Sequence, residues 1–253
     1  METTNTRKNW TDQELKLAFY LYCQLPFGKI DARNNQIQVL ARFLGRSANA
    51  VAMKLVNFAS LDPAIRNSGR KGLGNASVAD KRIWDAFHSD WTSLSEECAF
   101  QFASIQPDEK QESDVGISYM GETRIITTMA RIGQAFFRNS VMASYQNRCC
   151  MSGLSIHGLL VASHIVPWAA ASELRLNPRN GLCLSAIHDK AFDRGLITVT
   201  ADYSILVSGA IKRDNSKQGQ LIAELEGRRI ILPAKFLPEK NYLVWHNEHV
   251  FKG

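Results

Sequence analysis

The chain has 253 residues, 45% of them hydrophobic and 21% charged, which is typical of a globular protein with one large domain or two modest ones. No run approaches the roughly 18 apolar residues of a membrane span and the N-terminus has no secretory apolar core, so we expect a cytoplasmic protein with no membrane partner. The net charge is +6, with two basic blocks at residues 1–70 and 124–253 around an acidic block at 71–123. This arrangement favours two units that face nucleic acid, although ordinary solvated surface charge gives the same pattern.

The N-terminal block has the pattern of short helices. Thr11 and Glu14 form the capping-box signature of a first helix. A second helix has apolar residues at helical spacing and is predicted to stop at Gly45, and Ser47 is the expected N-cap of a third. A helix, a tight glycine turn and another helix together favour a helix-turn-helix unit.

The segments W-T-D-Q-E-L and L-A-R-F-L-G-R-S-A-N-A-V-A-M-K-L, within residues 10–55, resemble Myb-type or helix-turn-helix DNA-binding modules. Polar side chains of the third helix lie away from its apolar face, where Asn can read adenine and Lys can hold phosphate or guanine. The candidate DNA contacts are therefore Arg46, Asn49, Met53, Lys54 and Asn57. A purely structural or partner-docking role for these helices is the alternative.

The middle of the chain gives the domain boundaries. Residues 107–116 are charged and poor in apolar side chains, as in an exposed linker. Residues 79–88 and 127–145 are predicted to be helical. We therefore expect a helical domain at residues 1–106, an acidic linker at 107–123 and a C-terminal domain at 124–253, whose core motif covers 149–199.

Two histidines and an asparagine define the core motif. His164 ends a short apolar run, and Asn180 comes just before a second apolar run. His188 follows in a predicted short helix, Ala186 to Asp193, which Ser185 is placed to cap. A strand, a loop, a strand and a helix would bring these three side chains into one small cleft. Beyond the motif, two alternating stretches suggest short strands that complete the domain: Tyr203, Ile205 and Val207, then Ile230 and Leu232.

The motif resembles the HNH nuclease family, in the branch with A-S-H-I-V-P-W, N-G-L-C-L and H-D-K-A-F-D-R-G. The resemblance continues outside the motif, through Arg131, Gly133, Gln134, Phe137 and Arg138 upstream and Trp245, His246 and Phe251 downstream. It implies the ββα-metal motif, and with the helical N-terminal block an α+β fold class. The family's chemistry is hydrolysis of phosphodiester bonds.

The resemblance assigns a role to each residue. Histidine has an ordinary pKa of about 6.5, which suits a general base near neutral pH, so His164 is the expected base. Asn180 corresponds to the residue that orients the base region. His188 is the expected ligand of a divalent ion, most simply Mg²⁺, with Mn²⁺, Ni²⁺ or Zn²⁺ as alternatives.

The remaining metal ligands depart from the family pattern. Many members have an Asp or His directly before the base, where this chain has Ser163. Asp193 is a candidate carboxylate ligand, provided that the helix ends near Phe192. Arg179, Lys190 and Arg194 flank the motif and are candidates for holding phosphate.

Five scattered cysteines argue against a disulfide framework, but Cys150 and Cys183 with His188 leave open a structural zinc site.

These observations predict a metal-dependent DNA endonuclease of the restriction or defence kind. A single HNH site cuts one strand, so double-strand cleavage would favour a homodimer. One alternative is a DNA-binding regulator that retains the HNH fold as structure. Another is a nuclease that acts on RNA or on modified DNA.

Overall fold

The structure is a computed structural model. It describes residues 9–67, 69, 76–105 and 122–253, with the side chains of all of these except 103–105 and 122–130. Residues 107–121 of the expected acidic linker lie outside the described residues. In the described part of the chain, no helix combines the length and the apolar content that would span a membrane.

The first part of the chain is helical, and its described elements are α1 (Asp12–Gln24), α2 (Asn35–Leu44), α3 (Ala48–Ala59), α4 (Pro63–Asn67), α5 (Val78–Ser89), α6 (Trp91–Ile105) and α7 (Glu122–Ser144). The predicted signals at the helix ends are confirmed. Thr11 and Glu14 form a capping box at α1, and Ser47 accepts a hydrogen bond from the backbone of α3. Gly45 ends α2 in the left-handed region at φ 62°, which glycine adopts without steric cost.

The second part holds β1 (Leu160–His164), β2 (Gly181–Ser185) and α8 (Ala186–Asp193), followed by β3 (Ile197–Val199), β4 (Ile205–Val207), α9 (Gly209–Lys212), α10 (Lys217–Ala223) and α11 (Lys240–His249). β1 and β2 pair antiparallel, and so do β3 and β4. The fold class is α+β, as predicted. The expected strand through Ile230 and Leu232 is wrong, since that segment forms only a single bridge, between Ser204 and Arg229, and Leu232 is half exposed.

Helix α1 is the centre of the core. Its residues from Leu15 to Cys23 are almost all buried, and Phe19 contacts five aromatic rings, those of Tyr22, Phe58, Trp84, Phe87 and Trp91. Complete burial of one such side chain stabilises the fold by about 1.5–3 kcal/mol. The helix also packs on α7, where the Tyr20 ring stacks on that of Phe136 at 4.5 Å. Since α7 also packs on β1 and β2, the helical first part and the second part, which holds the strands, share one hydrophobic core.

A buried lysine makes a second connection between the two parts. Lys235 lies between β4 and α11 and is completely buried. Its Nζ donates to the carbonyl oxygens of Tyr22, Cys23 and Leu25, the last two at 2.8 and 2.7 Å. These carbonyls lie at the C-terminal end of α1, where the helix supplies few backbone donors; the Tyr22 carbonyl also accepts from the Leu25 N–H at 3.4 Å. Lys235 thus stabilises the end of α1 from a position more than 200 residues away in sequence.

Candidate active site

The ββα arrangement brings the end of β1 to the start of β2. His164 is in register with Gly181, and α8 begins directly after β2 with the Ser185 side chain as its N-cap. Helix α7 packs across both strands. A Cβ atom on Gly181 would lie 2.3 Å from Cγ2 of Val141 on α7, so glycine is needed for this close approach. The glycine of the N-G-L sequence therefore has a packing role.

The contacts of His164 determine which of its ring nitrogens is basic. Nε2 lies 3.0 Å from the carbonyl oxygen of Arg175. A carbonyl oxygen can only accept a hydrogen bond, so Nε2 carries the proton, and Nδ1 of the neutral ring is left as the proton acceptor. The ring stacks on Phe137 with centroids 3.8 Å apart. Burial lowers the pKa of His164 below 6.5, and the hydrogen bond to Arg175 opposes this only in part, so the ring is neutral at physiological pH.

Asn180 fixes the loop that joins β1 to β2. Its side chain is completely buried, accepts a hydrogen bond from the Val166 backbone N–H at 2.8 Å, and donates one to the Val166 carbonyl at 2.9 Å. Its own backbone carbonyl accepts from Ile165. These bonds close the two ends of the loop on each other. Because the same loop carries the Arg175 carbonyl that contacts His164, Asn180 positions the histidine through the backbone.

His164 opens into a pocket of about 340 Å³, which helix α7, strand β1 and the loop after β1 form together. Two guanidinium groups line it, from Arg138 and Arg175. Arg138 donates from Nη2 to the Leu160 carbonyl, and Arg175 forms an ion pair with Glu96 of α6. The expected likeness upstream of the motif is thus explained, because Gly133, Gln134, Phe137 and Arg138 line the same pocket as His164.

His188 is held in a different environment from His164. Its side chain is buried, and Nδ1 lies 3.0 Å from Oγ of Ser185 and 3.4 Å from Sγ of Cys149. Burial raises the pKa of the Cys149 thiol, but hydrogen bonds with His188 and Ser152 outweigh this and lower it to about 6. Since Nδ1 is engaged, Nε2 is the nitrogen that His188 has for a metal ion.

The expected ligand set does not fit a metal centre. Helix α8 continues through Asp193, so His188 and Asp193, five residues apart, point about 140° apart around the helix. Asp193 is exposed, whereas Ser163 is buried and its Oγ has no hydrogen-bond partner among the described residues. Within the described ranges, no three His, Cys, Asp or Glu side chains converge on a point that could hold a metal. The prediction of Asp193 as a ligand beside His188 is therefore wrong on geometry.

The alternative zinc site is not formed either. All five cysteines are free and buried, and burial raises the pKa of Cys150 and Cys183 above the ordinary thiol value. The thiol of Cys183 contacts the Met142 sulfur at 3.4 Å, and His188 contacts Cys149 instead of Cys150. A structural zinc site needs four converging ligands, and the described residues include no group of three or more His, Cys, Asp or Glu side chains that could hold a metal.

Two of the expected DNA contacts are used inside the protein. Arg46 pairs with Glu14 at 2.8 Å, and its guanidinium lies over the Trp10 ring at 4.1 Å. Lys54 is buried and pairs with Asp80 of α5 at 2.7 Å. Both cations are neutralised by carboxylates and shielded from solvent, so the predictions that they contact DNA are wrong for this conformation. Their role is to hold α1, α3 and α5 together.

The other expected contacts differ in exposure. On α3, Asn49 and Met53 are exposed and Asn57 is half-buried, so this face is accessible as predicted. Near the motif, Lys190 and Arg194 are exposed, whereas Arg179 pairs with Glu239 at 2.6 Å and donates to the Leu237 carbonyl. Arg179 therefore joins the loop after β1 to the segment before α11.

The sequence did not predict the other residues around His164. Arg175, Glu96 and Trp168 line its pocket, but the first and last come from the loop after β1, which has only short 3-10 turns, and Glu96 comes from a helix of the N-terminal part. Trp168 is the tryptophan of the P-W dipeptide in the motif, so the sequence could have indicated it. In the structure its side chain is 50% exposed. Nothing in the sequence indicated Glu96, because it is brought to Arg175 only by the tertiary packing of α6.

The paired strands followed by a helix, with His164 and His188 on them, define a ββα nuclease motif. Residues 149–200 match the family described as HNH endonuclease. This segment of the chain is therefore an HNH endonuclease domain, which implies a nucleic-acid substrate and a hydrolase activity; such nucleases are generally dependent on divalent metals. No curated protein matches the chain.

Proposed function

We propose that the protein is a DNA endonuclease that hydrolyses phosphodiester bonds with His164 as the general base. The observation that carries the proposal is the hydrogen bond from His164 Nε2 to the Arg175 carbonyl. It leaves Nδ1 as the acceptor on a neutral ring, next to two guanidinium groups that can attract a phosphate.

The proposed reaction is attack of water on phosphorus. As the water oxygen forms its bond to phosphorus, a proton passes from the water to Nδ1 of His164. The bond from phosphorus to the 3′ oxygen breaks, and that oxygen takes up a proton from solvent. The products are a 5′-phosphate and a 3′-hydroxyl. Arg138 and Arg175 are placed to stabilise the negative charge that grows on the phosphoryl oxygens.

The divalent ion on which HNH nucleases generally depend supplies a positive charge at the leaving oxygen when bound. His188 remains the candidate ligand, with Mg²⁺ the first metal to test. The described residues do not complete a ligand set around it.

The proposal also covers DNA binding by the helical part, the biological role, the domain boundaries and the oligomeric state. Asn49 and Met53, which are exposed on α3, and the half-buried Asn57 support a DNA-binding role for the helical part. A restriction or defence function in the cytoplasm rests on the resemblance of the motif alone. Division into residues 1–106, 107–123 and 124–253, and a homodimer for double-strand cleavage, also remain proposals.

The test is cleavage of supercoiled plasmid by the purified full chain, with Mg²⁺, Mn²⁺, Ni²⁺ or EDTA. Plain, methylated and hydroxymethylated plasmids should be compared, with an RNA substrate beside them. We expect metal-dependent nicking, and a loss of about 10²–10⁴-fold in rate for His164→Ala with little change in DNA affinity. His157→Ala is the matched control, because His157 is exposed and lies outside the pocket.

Two results would contradict the proposal. Equal rates of plasmid cleavage for His164→Ala and His157→Ala would show that His164 is not the general base. No cleavage of any substrate with any metal, together with retained DNA binding, would favour the DNA-binding regulator with a structural HNH fold.

A further inference from the structure

We propose that the pocket beside His164 binds a nucleobase that has left the DNA stack, and that Trp168 is the surface on which this base stacks. The inference rests on the proposed function, because it names what the same site binds next to the scissile phosphate. The pocket and an aromatic side chain at its mouth carry it independently of any metal.

The first step is the chemical character of the pocket walls. Phe137, Leu176, Val161 and Ala162 supply apolar surface, and Trp168 completes it. A phosphate group would lose its hydration against such walls, whereas the flat face of a nucleobase is well accommodated by them. A volume of about 340 Å³ also lies within the usual range for pockets that hold small organic groups.

The second step is the exposure of Trp168. This side chain is 50% exposed, in contrast to Trp84 and Trp91, which are buried at 9% and 3%. It lies in the loop after β1, whose two ends Asn180 ties together. A large aromatic side chain held at the mouth of a catalytic pocket loses little conformational entropy when a ligand stacks on it. Base stacking on aromatic residues is the usual way in which proteins hold unpaired nucleotides.

The third step is the distribution of charge. The pocket is lined by the guanidinium groups of Arg138 and Arg175 and by the carboxylate of Glu96, which pairs with Arg175. With His164 neutral, these groups leave one positive charge. Arg138 uses Nη2 to bond the Leu160 carbonyl, and a guanidinium has five N–H donors in all. This charge distribution fits a site in which the base enters the apolar part of the pocket and its phosphate stays beside Arg138 and His164.

The consequence concerns the substrate. In a B-form duplex every base is stacked and paired, so none can enter this pocket without being turned out of the helix. The cost of unstacking is smallest where the DNA is already unpaired or distorted. The enzyme is therefore expected to prefer single-stranded or locally opened DNA at the position that it cuts.

The experiment measures binding in EDTA, so that it does not depend on cleavage. A fluorescently labelled octamer of thymidylate is compared with an octamer of the same length made of abasic residues, which keeps the phosphates and removes the bases. We expect the full-length wild type to bind the thymidylate octamer about 5- to 150-fold more tightly, the range that one base–aromatic stack supplies. Trp168→Ala should lose most of this difference, Trp168→Phe should retain most of it, and neither should alter the affinity for the abasic octamer.

Trp245→Ala is the matched control, because Trp245 stacks on His249 in α11 and does not line the pocket. Equal affinity of the wild type for the two octamers would overturn the inference, and this comparison does not depend on any variant folding. An equal loss for both octamers in Trp168→Ala would also overturn it, since the residue would then act through structure or phosphate contact. If the protein cleaves plasmid but binds the two octamers equally, the nuclease proposal stands and the base pocket does not. If it binds the thymidylate octamer more tightly but cleaves no plasmid, the base pocket stands and the nuclease proposal does not.

Discussion

Replacing Lys235 with methionine tests whether the nuclease part and the helical part are one folding unit. The substitution keeps an unbranched side chain of similar length, so it leaves no large cavity, but it removes the donor that the carbonyls of Tyr22, Cys23 and Leu25 share. These carbonyls lie at the buried C-terminal end of α1. Asp62, which is also buried and accepts the Phe236 N–H, is an acidic neighbour that favours the charged lysine.

The magnitude follows from two opposing effects. The carbonyls of Cys23 and Leu25 lose their Lys235 donor at about 1–3 kcal/mol each, whereas that of Tyr22 keeps a hydrogen bond from the Leu25 N–H at 3.4 Å, so the three together cost about 5 kcal/mol. Burial lowers the pKa of Lys235 from 10.5 to about 8, so the charged side chain itself costs the native state about 3 kcal/mol, which the substitution relieves. The expected net loss in the free energy of unfolding at pH 7 is therefore about 2 kcal/mol, or roughly 4–8 °C in Tm for a chain of this size.

The assay is urea unfolding of the full-length protein, followed by far-ultraviolet circular dichroism, with Lys217→Met as the control. Lys217 is exposed at the start of α10, so its substitution should change the free energy of unfolding by less than about 0.5 kcal/mol. Both parts should unfold in one transition. A loss below about 1 kcal/mol for Lys235→Met would refute the reasoning, because it would mean that α1 does not need this donor.

The pH dependence gives the same experiment a second readout. Between pH 8 and pH 10.5 the unfolded state holds a proton that the folded Lys235 has released, so this residue adds stability as the pH rises. The difference in the free energy of unfolding between wild type and Lys235→Met should therefore widen from pH 8 towards pH 10. Buried tyrosines and cysteines that do not face Lys235 titrate alike in both proteins and cancel in the difference, and burial raises the pKa of Cys23, which does face Lys235, well above its ordinary value. A gap that narrows over this range would contradict the assignment.

Two predictions concern the catalytic cleft. Because burial lowers the pKa of His164, the acidic limb of a kcat/KM profile for DNA cleavage should have its midpoint below pH 6.5, with activity falling only as the ring becomes protonated; a midpoint above pH 6.5 would remove the base from this pocket. Asn180→Ala leaves both the N–H and the carbonyl of Val166 without their side-chain partner, so it should cost about 2–6 kcal/mol in urea unfolding and lower kcat more than it raises KM. Asn180→Asp keeps the acceptor for the Val166 N–H but at pH 7 sets a buried carboxylate against the Val166 carbonyl, so it should lose at least as much stability as Asn180→Ala and recover part of it at acidic pH, where the protonated carboxyl can donate; a loss that does not shrink on acidification would contradict this account.

The sequence predicted the features that depend on neighbouring residues. The caps at Thr11, Ser47 and Ser185 were predicted because each satisfies backbone donors only three residues away. The spacing of His164, Asn180 and His188 predicted the ββα motif, because two strands and a helix joined in succession form a local unit. These elements need little information from the rest of the chain.

The sequence could not predict features in which the partner is distant. Lys54 was assigned to DNA because nothing near it in sequence reveals Asp80, 26 residues later, as its buried partner. The alternation at Ile230 and Leu232 suggested a strand, but that segment instead uses its backbone to bond the carbonyl of Cys150, at 2.7 Å from Ile231 N. Asp193 was placed near His188 on the assumption that α8 ends at Phe192, and one further helical residue changes the direction of the side chain.

The geometry of the base depends on more than the ββα motif. The Arg175 carbonyl that sets the tautomer of His164 belongs to a loop which Asn180 holds on one side. On the other side α6 holds the same loop, through the Glu96–Arg175 ion pair and a hydrogen bond from Thr92 to the Glu173 carbonyl at 2.8 Å. Helix α6 in turn packs on α1, in the helical part. A movement of α6 would therefore shift the one hydrogen-bond acceptor that makes Nδ1 of the histidine basic, so the helical part contributes to the catalytic geometry whether or not it also binds DNA.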